Sequence, residues 1–130
     1  MTKNENAYIV GIIAEYNPLH KGHAWHIKKA KELAGADYCI AVMSGDFVQR
    51  GAPAIYDKYT RTAMALEAGA DLVLEMPAIF ATSSAEDFAA CGIALLDRLG
   101  VVGSVCFGSE CGDMEETSRA ASILASEPEL

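Results

Sequence analysis

Residues 8–23 read YIVGIIAEYNPLHKGH, an apolar run followed by a turn that contains Pro18 and two histidines. The run Tyr8–Ala14 is rich in Ile and Val, which is typical of a buried strand. Pro18 fixes its backbone φ and favours a turn, and apolar residues then recur three or four positions apart over Lys21–Ala34, which predicts a helix. The stretch therefore predicts a buried strand that leads directly into a helix.

The same alternation continues along the chain. The further predicted strands are Tyr38–Met43, Leu72–Glu75 and Val102–Phe107, and the further predicted helices are Asp57–Ala68, Ser84–Leu99 and Asp113–Ala125. Successive strands begin about 30 residues apart, the length of one βαβ unit, so they should lie parallel with right-handed crossovers. These features predict an α/β fold, a Rossmann-like open parallel sheet with helices on both faces, in a single domain over residues 1–130.

The tetrapeptide A-G-A-D occurs twice, at residues 34–37 and 68–71. In both copies the glycine stands just past a predicted helix, where a left-handed backbone costs glycine least. We interpret the repeated tetrapeptide as a turn that recurs at helix-to-strand connections rather than as an internal repeat, because the intervening loops have no sequence in common. Ser83 and Glu86 have the spacing of a capping box for the third helix, with Ser83 at the N-cap.

Length and composition limit the classes of protein to consider. The 130 residues, of which 52% are hydrophobic, fit one compact domain with a sizeable core. The apolar runs are too short to span a bilayer, and the polar start of the chain lacks the pattern of a signal peptide, so we expect a cytoplasmic protein without a membrane partner. The cysteines, at positions 39, 91, 106 and 111, form no C-x-x-C pair and are predicted to be buried thiols rather than zinc ligands or disulfides.

The net charge of −8 is unevenly distributed. Residues 20–62 hold seven Lys or Arg against four Asp or Glu, a net of +3, whereas residues 63–130 hold two against twelve, a net of −10. A local basic excess can serve phosphates even in an acidic protein. For Lys28, Lys29 and Lys31, however, we favour the interpretation of a solvated helix face.

His20 and His23 give the strongest indication of function. They stand three residues apart at a predicted helix start, where free N–H groups and the helix dipole favour a phosphate. Gly22 leaves room for a ligand to approach the backbone. We predict that both imidazoles are catalytic, stabilising the charge that grows on the α-phosphate and pyrophosphate of a nucleotide during transfer, and that His26 touches the same phosphates one turn later.

Two alternatives for these histidines stay open. They could serve only as polar caps of the helix, or they could form an H-x-x-H metal site, although no third ligand stands at a suitable spacing and we predict no protein-bound metal. Neither the P-loop sequence nor the dinucleotide-binding glycine pattern occurs in the chain. A nucleotide would therefore be held by an arrangement built on the histidines.

The second loop covers residues 44–56 and begins with SGDFVQRG at residues 44–51. It is expected to face the first loop, residues 15–20, across a crevice at the carboxyl ends of the strands. Asp46, Gln49 and Arg50 are candidates for holding a substrate. Arg50 could equally well pair with an acid of its own loop.

Three charged residues follow this loop. Lys58 and Arg61 are expected where they could approach phosphates. Glu75 ends the third strand and could support the site by hydrogen bonding. We favour the simpler interpretation that this segment only terminates the strand, because Pro77 follows it.

The strand, loop and helix with P-x-H-x-G-H resemble the H-x-G-H signature of nucleotidyltransferases and class I aminoacyl-tRNA synthetases. Five blocks in order resemble, more specifically, the N-terminal part of the bacterial tRNA(Met) cytidine acetate ligase family: EYNPLHKGH, AVMSGDFVQRGAPA, KYTRTAMAL, ADLVLEMP and CFGSE. The resemblance covers nearly the whole chain after residue 7. It implies an ATP-binding domain of an enzyme that activates acetate with ATP and Mg²⁺ as acetyl-adenylate, and then acetylates N4 of the wobble cytidine in elongator tRNA(Met).

The resemblance also implies which residues hold ATP. They are a continuous run and one residue after the fourth strand: Ile13, Ala14, Glu15, Tyr16, Asn17, Pro18, Leu19, His20, Lys21, Gly22, His23, Ala24, Trp25, His26 and Gly108. The candidates of the second loop would then hold acetate or the target base. Members of the family are longer than this chain, so we assign tRNA to the full-length parent and expect ATP binding more firmly than catalysis. A small-molecule nucleotidylyltransferase with another acceptor, and a nucleotide-binding module without turnover, stay open.

Overall fold

The structure, a computed structural model, describes residues 7–107. Its strands are β1 (Ile9–Ala14), β2 (Tyr38–Ser44), β3 (Leu72–Met76) and β4 (Val102–Phe107), and its helices are α1 (Lys21–Ala34), α2 (Lys58–Ala68), α3 (Ala78–Ala81) and α4 (Ala85–Leu99). The short helix α3 and a 3-10 turn at Gln49–Gly51 are additions to the predicted elements. The predicted helix Asp113–Ala125 lies outside the described residues. Within residues 7–107, no helix is long and apolar enough to cross a membrane.

The four strands form one parallel sheet in the order β3-β2-β1-β4. The chain enters the middle of the sheet at β1, adds β2 and β3 on one side, and then crosses to the other side for β4. The order of strands therefore reverses between β1 and β4. At such a switch point the loops at the carboxyl ends of the strands diverge and leave a crevice for a ligand.

Helices cover both faces of the sheet. One core cluster combines Ile12 of β1 with Ile27 of α1 and Ala65 of α2. The other combines Ile13 of β1 with Phe88 of α4. Successive strand residues point to opposite faces, so β1 is buried on both sides, which explains its continuous apolar sequence. The predicted Rossmann-like fold is confirmed.

The amino edge of the sheet, where the strands begin, is closed by the two A-G-A-D turns. The glycine of each turn has a positive φ, 62° in the first and 122° in the second, as expected. The carboxylate of Asp37 accepts from the backbone N–H of Tyr8 at 2.9 Å, and that of Asp71 accepts from the N–H of Cys39 at 2.8 Å. The repeated tetrapeptide thus performs the same task twice, since each Asp ties its turn to the neighbouring strand.

Lys31 adds a tether at this edge. Its ammonium donates to the carbonyl of Gly69 at 3.1 Å and lies 3.1 Å from the Asp71 carboxylate. The interpretation of a solvated side chain is therefore wrong for Lys31, which holds α1 against the second turn. Lys29 does lie on the outer face, 3.6 Å from Glu32.

The N-cap of α4 is Ser84 rather than the predicted Ser83. The Ser84 hydroxyl accepts from the backbone N–H of Asp87 at 3.2 Å. Ser83 instead donates to the carbonyl of Phe80, because it belongs to the turn that ends the unpredicted helix α3. Glu86 therefore stands at N2 rather than N3, and the predicted capping box between Ser83 and Glu86 is wrong.

The described cysteines, Cys39, Cys91 and Cys106, are free thiols. Cys39 is fully buried in β2, and burial raises the pKa of its thiol to about 12. Cys91 and Cys106 are partly buried. The prediction of buried thiols is confirmed for Cys39 and only in part for Cys91 and Cys106, and Cys111 lies outside the described residues.

Candidate functional site

Helix α1 begins with a cap made of two histidines. His20 is the N-cap residue, and its Nδ1 accepts from the backbone N–H of Gly22 at 3.0 Å. The backbone N–H of His20 in turn donates to Nδ1 of His23 at 3.1 Å. The two rings are stacked, with centroids 3.7 Å apart and an angle of 21° between their planes. The histidines therefore do cap the helix, and the same contacts hold both rings in place.

These contacts determine which ring nitrogen carries the proton. A nitrogen that accepts a hydrogen bond is unprotonated, so the neutral forms of His20 and His23 carry their protons on Nε2. Two N–H donors then stand side by side at the positive end of a helix. Phosphate oxygens, which accept hydrogen bonds and carry negative charge, suit this arrangement. Capping and phosphate binding are compatible because they use different nitrogens of the rings.

Tyr16 packs against His23 from the core. Its ring meets that of His23 edge-on at 5.1 Å, and only 2% of Tyr16 is exposed. Its φ of 51° lies in the left-handed region, which is unusual for a bulky residue and often marks a functional turn. Burial, followed by the neighbouring His20 and His26, lowers the pKa of His23 below its ordinary value of 6.5. The His23 ring is therefore neutral near pH 7.

Two residues of the predicted nucleotide run use their side chains to join the first loop to the second. The Glu15 carboxylate accepts from the backbone N–H of Gln49 at 2.8 Å, and the Asn17 amide oxygen accepts from the N–H of Ile55 at 2.8 Å. We expected these loops to face each other across a crevice. They lie against each other instead, because their strands β1 and β2 are direct neighbours and the switch point is on the other side of β1.

The other members of that run differ in exposure. The side chain of Ile13 is buried in one core cluster, so only its backbone is available to a nucleotide, and the partly buried side chain of Leu19 packs against the other cluster. Lys21 and Gly22 are exposed, and Trp25 is half exposed. The remaining members are partly buried: Ala14, Pro18, Ala24 and His26. The roles of all these residues in binding a nucleotide stay predictions.

Arg61 lies fully buried beneath the two loops, with no exposed surface. Its Nε donates to the carbonyl of Tyr56 at 3.0 Å. Its Nη1 donates to the carbonyls of Glu15 at 2.8 Å and Ser44 at 3.0 Å, and its Nη2 donates to that of Gly45. The expectation that Arg61 approaches phosphates is therefore wrong, because its donors are used inside the protein.

Charged side chains of the second loop region are also engaged. The Asp46 carboxylate accepts from the backbone N–H of Lys58 at 3.0 Å and so helps to cap α2. The Lys58 ammonium pairs with Glu75 at 3.0 Å, and this hydrogen bond raises the pKa of Lys58. Lys58 is thus held by a carboxylate rather than free for a phosphate, and Glu75 does more than end a strand. The side chain of Arg50 lies outside what the structure describes.

The histidine helix starts beside the switch point of the sheet. The carboxyl ends of β1 and β4 are paired, with Ile13 of β1 opposite Phe107, the last residue of β4. Gly108, the predicted nucleotide contact after β4, follows directly but lies outside the described residues. Within residues 7–107, no three His, Cys, Asp or Glu side chains are grouped as metal ligands.

The profile of the HIGH Nucleotidyl Transferase family matches residues 7–130, including the histidine helix start. The chain belongs to this family. The matched residues include His20, Gly22 and His23, which form the helix cap.

Comparison with individual proteins confirms the predicted resemblance. The chain is 57% identical over 122 residues to a tRNA(Met) cytidine acetate ligase of Clostridium perfringens, covering 94% of this chain and 30% of the relative. It is 58% identical over 120 residues to that of Thermoanaerobacter sp. (strain X514), covering 92% and 30%. A crystal structure of Thermotoga maritima TmcAL bound with alpha-thio ATP matches with a TM-score of 0.78 and 50% identity, covering 93% of this chain and 29% of that one. The chain thus spans less than a third of the length of these relatives.

Sequence reasoning missed the roles of Tyr16 and Arg61. A signal for Arg61 was present, because Arg61 and Ala65 are four residues apart and both lie on the buried face of α2. An arginine on the apolar stripe of a helix indicates a buried, hydrogen-bonded cation rather than a free one. The left-handed backbone of Tyr16 gives no comparable signal, since bulky residues rarely adopt it.

Proposed function

We propose that this chain is the ATP-binding part of a tRNA(Met) cytidine acetate ligase. ATP activates acetate as acetyl-adenylate, and the acetyl group then passes to N4 of the wobble cytidine in elongator tRNA(Met). The observation that carries the proposal is the stacked histidine pair at the start of α1, in a chain that aligns over 93% of its length with a structure bound to an ATP analogue. The 57% identity to a named ligase supports acetate and tRNA(Met) as the acceptors.

The histidines act on the first step of this reaction. An acetate oxygen attacks the α-phosphorus of ATP, and the bond to the leaving pyrophosphate breaks. Negative charge grows on the oxygens around the α-phosphorus, where donors in place before the reaction lower the barrier. The Nε2–H groups of His20 and His23 are such donors, and they need not transfer a proton. Mg²⁺, held by the phosphate oxygens, would neutralise part of the polyphosphate charge.

The remaining ligands are assigned to the carboxyl edge of the sheet. The backbone from Ile13 to His26, together with Gly108, holds the nucleotide. Acetate and the target base lie against the second loop, where Asp46, Gln49 and Arg50 are the candidate contacts. The Asp46 carboxylate already caps α2, so Gln49 and Arg50 are the better candidates for direct contact. The reaction takes place in the cytoplasm, where ATP and tRNA are available.

The substitution His20→Ser separates phosphate binding from helix capping. A serine hydroxyl keeps an N-cap acceptor, while the Nε2–H donor is lost. We expect the melting temperature to stay the same and the affinity for ATP, measured by calorimetry, to fall by about tenfold or more. Lys29→Ala on the outer face of α1 is the control and should bind like the unaltered chain. Unchanged affinity in His20→Ser would show that His20 is a cap only.

The identity of the acceptor is tested by acetate-dependent exchange between ATP and pyrophosphate. The measurement uses a protein of the relatives' length that contains this chain. Exchange that requires acetate supports the ligase, and His23→Ala should reduce it by about a hundredfold. Exchange that requires a different acid or phosphate would indicate a nucleotidylyltransferase with another acceptor. ATP binding without any exchange would indicate a nucleotide-binding module.

A further inference from the structure

The guanidinium of Arg61 joins three separate segments of the carboxyl edge. Its donors reach carbonyls of the first loop, of the end of β2 and of the second loop. With the bond to Gly45, four of its five N–H groups are used. Burial lowers the pKa of Arg61, but Asp46, Asp57, Glu15 and Glu75 oppose that shift, so the group remains charged. A charged group this deeply buried is retained only where its hydrogen bonds are made.

A short chain of contacts leads from this guanidinium to the histidines. Arg61 holds the carbonyl of Glu15, which immediately precedes Tyr16. Tyr16, in its left-handed conformation, presses its ring edge-on against His23. His23 in turn accepts from the backbone of His20. These contacts form one continuous series from the Arg61 guanidinium to both imidazoles.

We infer that Arg61 is a positioning residue of the nucleotide site, which fixes the first loop so that His20 and His23 hold their stacked, Nε2-protonated arrangement. The inference rests on the proposed function for its ligand. Arg61 touches neither nucleotide nor acceptor and acts through Glu15 and Tyr16. Lysine cannot replace it, because one ammonium does not span carbonyls on several segments, whereas a planar guanidinium does.

The test compares two tethers on opposite edges of the sheet. Arg61→Met removes the carboxyl-edge tether, and Lys31→Met removes the matched tether at the amino edge, which binds Gly69 and Asp71. Both variants should melt at lower temperature. Only Arg61→Met should also lose ATP affinity, by about tenfold to a hundredfold, because the donors are displaced from the phosphates. Arg61→Lys, which is more conservative and should fold, is expected to lose affinity as well.

A second measurement needs no ATP. Nitrogen NMR of the imidazoles should show the Nε2-protonated form for His20 and His23 in the unaltered chain and in Lys31→Met. A mixture of tautomers is expected in Arg61→Lys and Arg61→Met. If the unaltered chain binds no ATP, the proposed function is wrong, and these spectra still decide the role of Arg61.

Two outcomes would overturn the inference. Full ATP affinity in Arg61→Lys would mean that a positive charge alone is sufficient, as for a direct phosphate contact. Equal losses of affinity in Arg61→Met and Lys31→Met would mean that general destabilisation is responsible.

Discussion

The amino and carboxyl edges of the sheet are built on different plans. At the amino edge, two copies of one tetrapeptide close the turns, and each uses a single Asp to reach the neighbouring strand. At the carboxyl edge, two unlike loops are joined by Glu15, Asn17 and the buried Arg61. Regular turns can be repeated because they only need to reverse the chain. Loops that place donors around a ligand have individual sequences and need individual supports.

Among contacts outside the nucleotide site, the largest loss of stability is expected from Asp71→Ala at the amino edge. The variant loses a charged acceptor for the Cys39 N–H and the ion pair with Lys31. We expect the free energy of unfolding to fall by about 2 kcal/mol, as for hydrogen bonds to charged groups. Urea unfolding measures the loss, and calorimetry should show unchanged ATP affinity. Weaker ATP binding in this variant would show that the two edges are not independent.

Ser84→Ala should have a smaller effect. The N-cap bond to Asp87 is lost, which typically costs about 1 kcal/mol. Ser83→Ala is the matched control and should lose less stability than Ser84→Ala, because it removes only an exposed hydrogen bond to the Phe80 carbonyl and no N-cap. A larger loss of stability in Ser83→Ala than in Ser84→Ala would indicate that Ser83 is the N-cap residue, as the sequence predicts. ATP affinity should be unchanged in both, although α4 begins at the carboxyl edge.

Gln49 offers two substitutions that separate backbone from side chain. Gln49→Pro removes the N–H that donates to Glu15, and the extended conformation of Val48, with φ −112° and ψ −175°, accepts a following proline. We expect ATP affinity to fall by about threefold in Gln49→Pro and to stay unchanged in Gln49→Ala. Reduced ATP affinity in Gln49→Ala but not in Gln49→Pro would contradict a role for the hydrogen bond between the Gln49 N–H and Glu15. In a full-length enzyme, a raised KM for acetate in Gln49→Ala would identify the side chain as an acceptor contact.

The smallest expected effect is the contribution of His23 to the pH dependence of stability. The pKa of His23 is lowered in the folded chain, so the unfolded chain binds the proton more tightly. The resulting stability is complete above pH 6.5, the ordinary pKa, and is lost as the pH falls below it. Melting temperatures between pH 5 and pH 7.5 should show this slope, and it should be reduced in His23→Gln, which keeps an acceptor but does not titrate. An unchanged slope in that variant would assign the acid sensitivity to other groups.

Much of the fold could be predicted because it depends on local patterns. Alternating apolar strands and amphipathic helices are visible in sequence, and the glycines past helices mark the turns. Helix α3 was missed because four residues such as Ala78–Ala81 are too few to show a helical period. That omission also moved the predicted cap of α4 by one residue.

The candidate site was only partly predictable, for a different reason. The positions of His20 and His23 at a helix start follow from the local sequence, but the contacts that hold them are non-local. Arg61 reaches a carbonyl 46 positions away, and the choice of loop neighbours depends on the strand order. A basic residue near a phosphate motif therefore appeared available to a ligand, whereas its hydrogen bonds were already used inside the protein.

The histidine cap also determines which kind of ion this helix start accepts. A transition-metal ion binds imidazole through the lone pair of a ring nitrogen. In His20 and His23 the Nδ1 lone pairs already face backbone N–H groups, and Nε2 offers no lone pair while it carries the proton. Binding such a metal would require a proton to leave, or to move to Nδ1 at the expense of the cap. In this arrangement the H-x-x-H pair can donate hydrogen bonds to an anion, whereas neither histidine has a ring lone pair available to coordinate zinc.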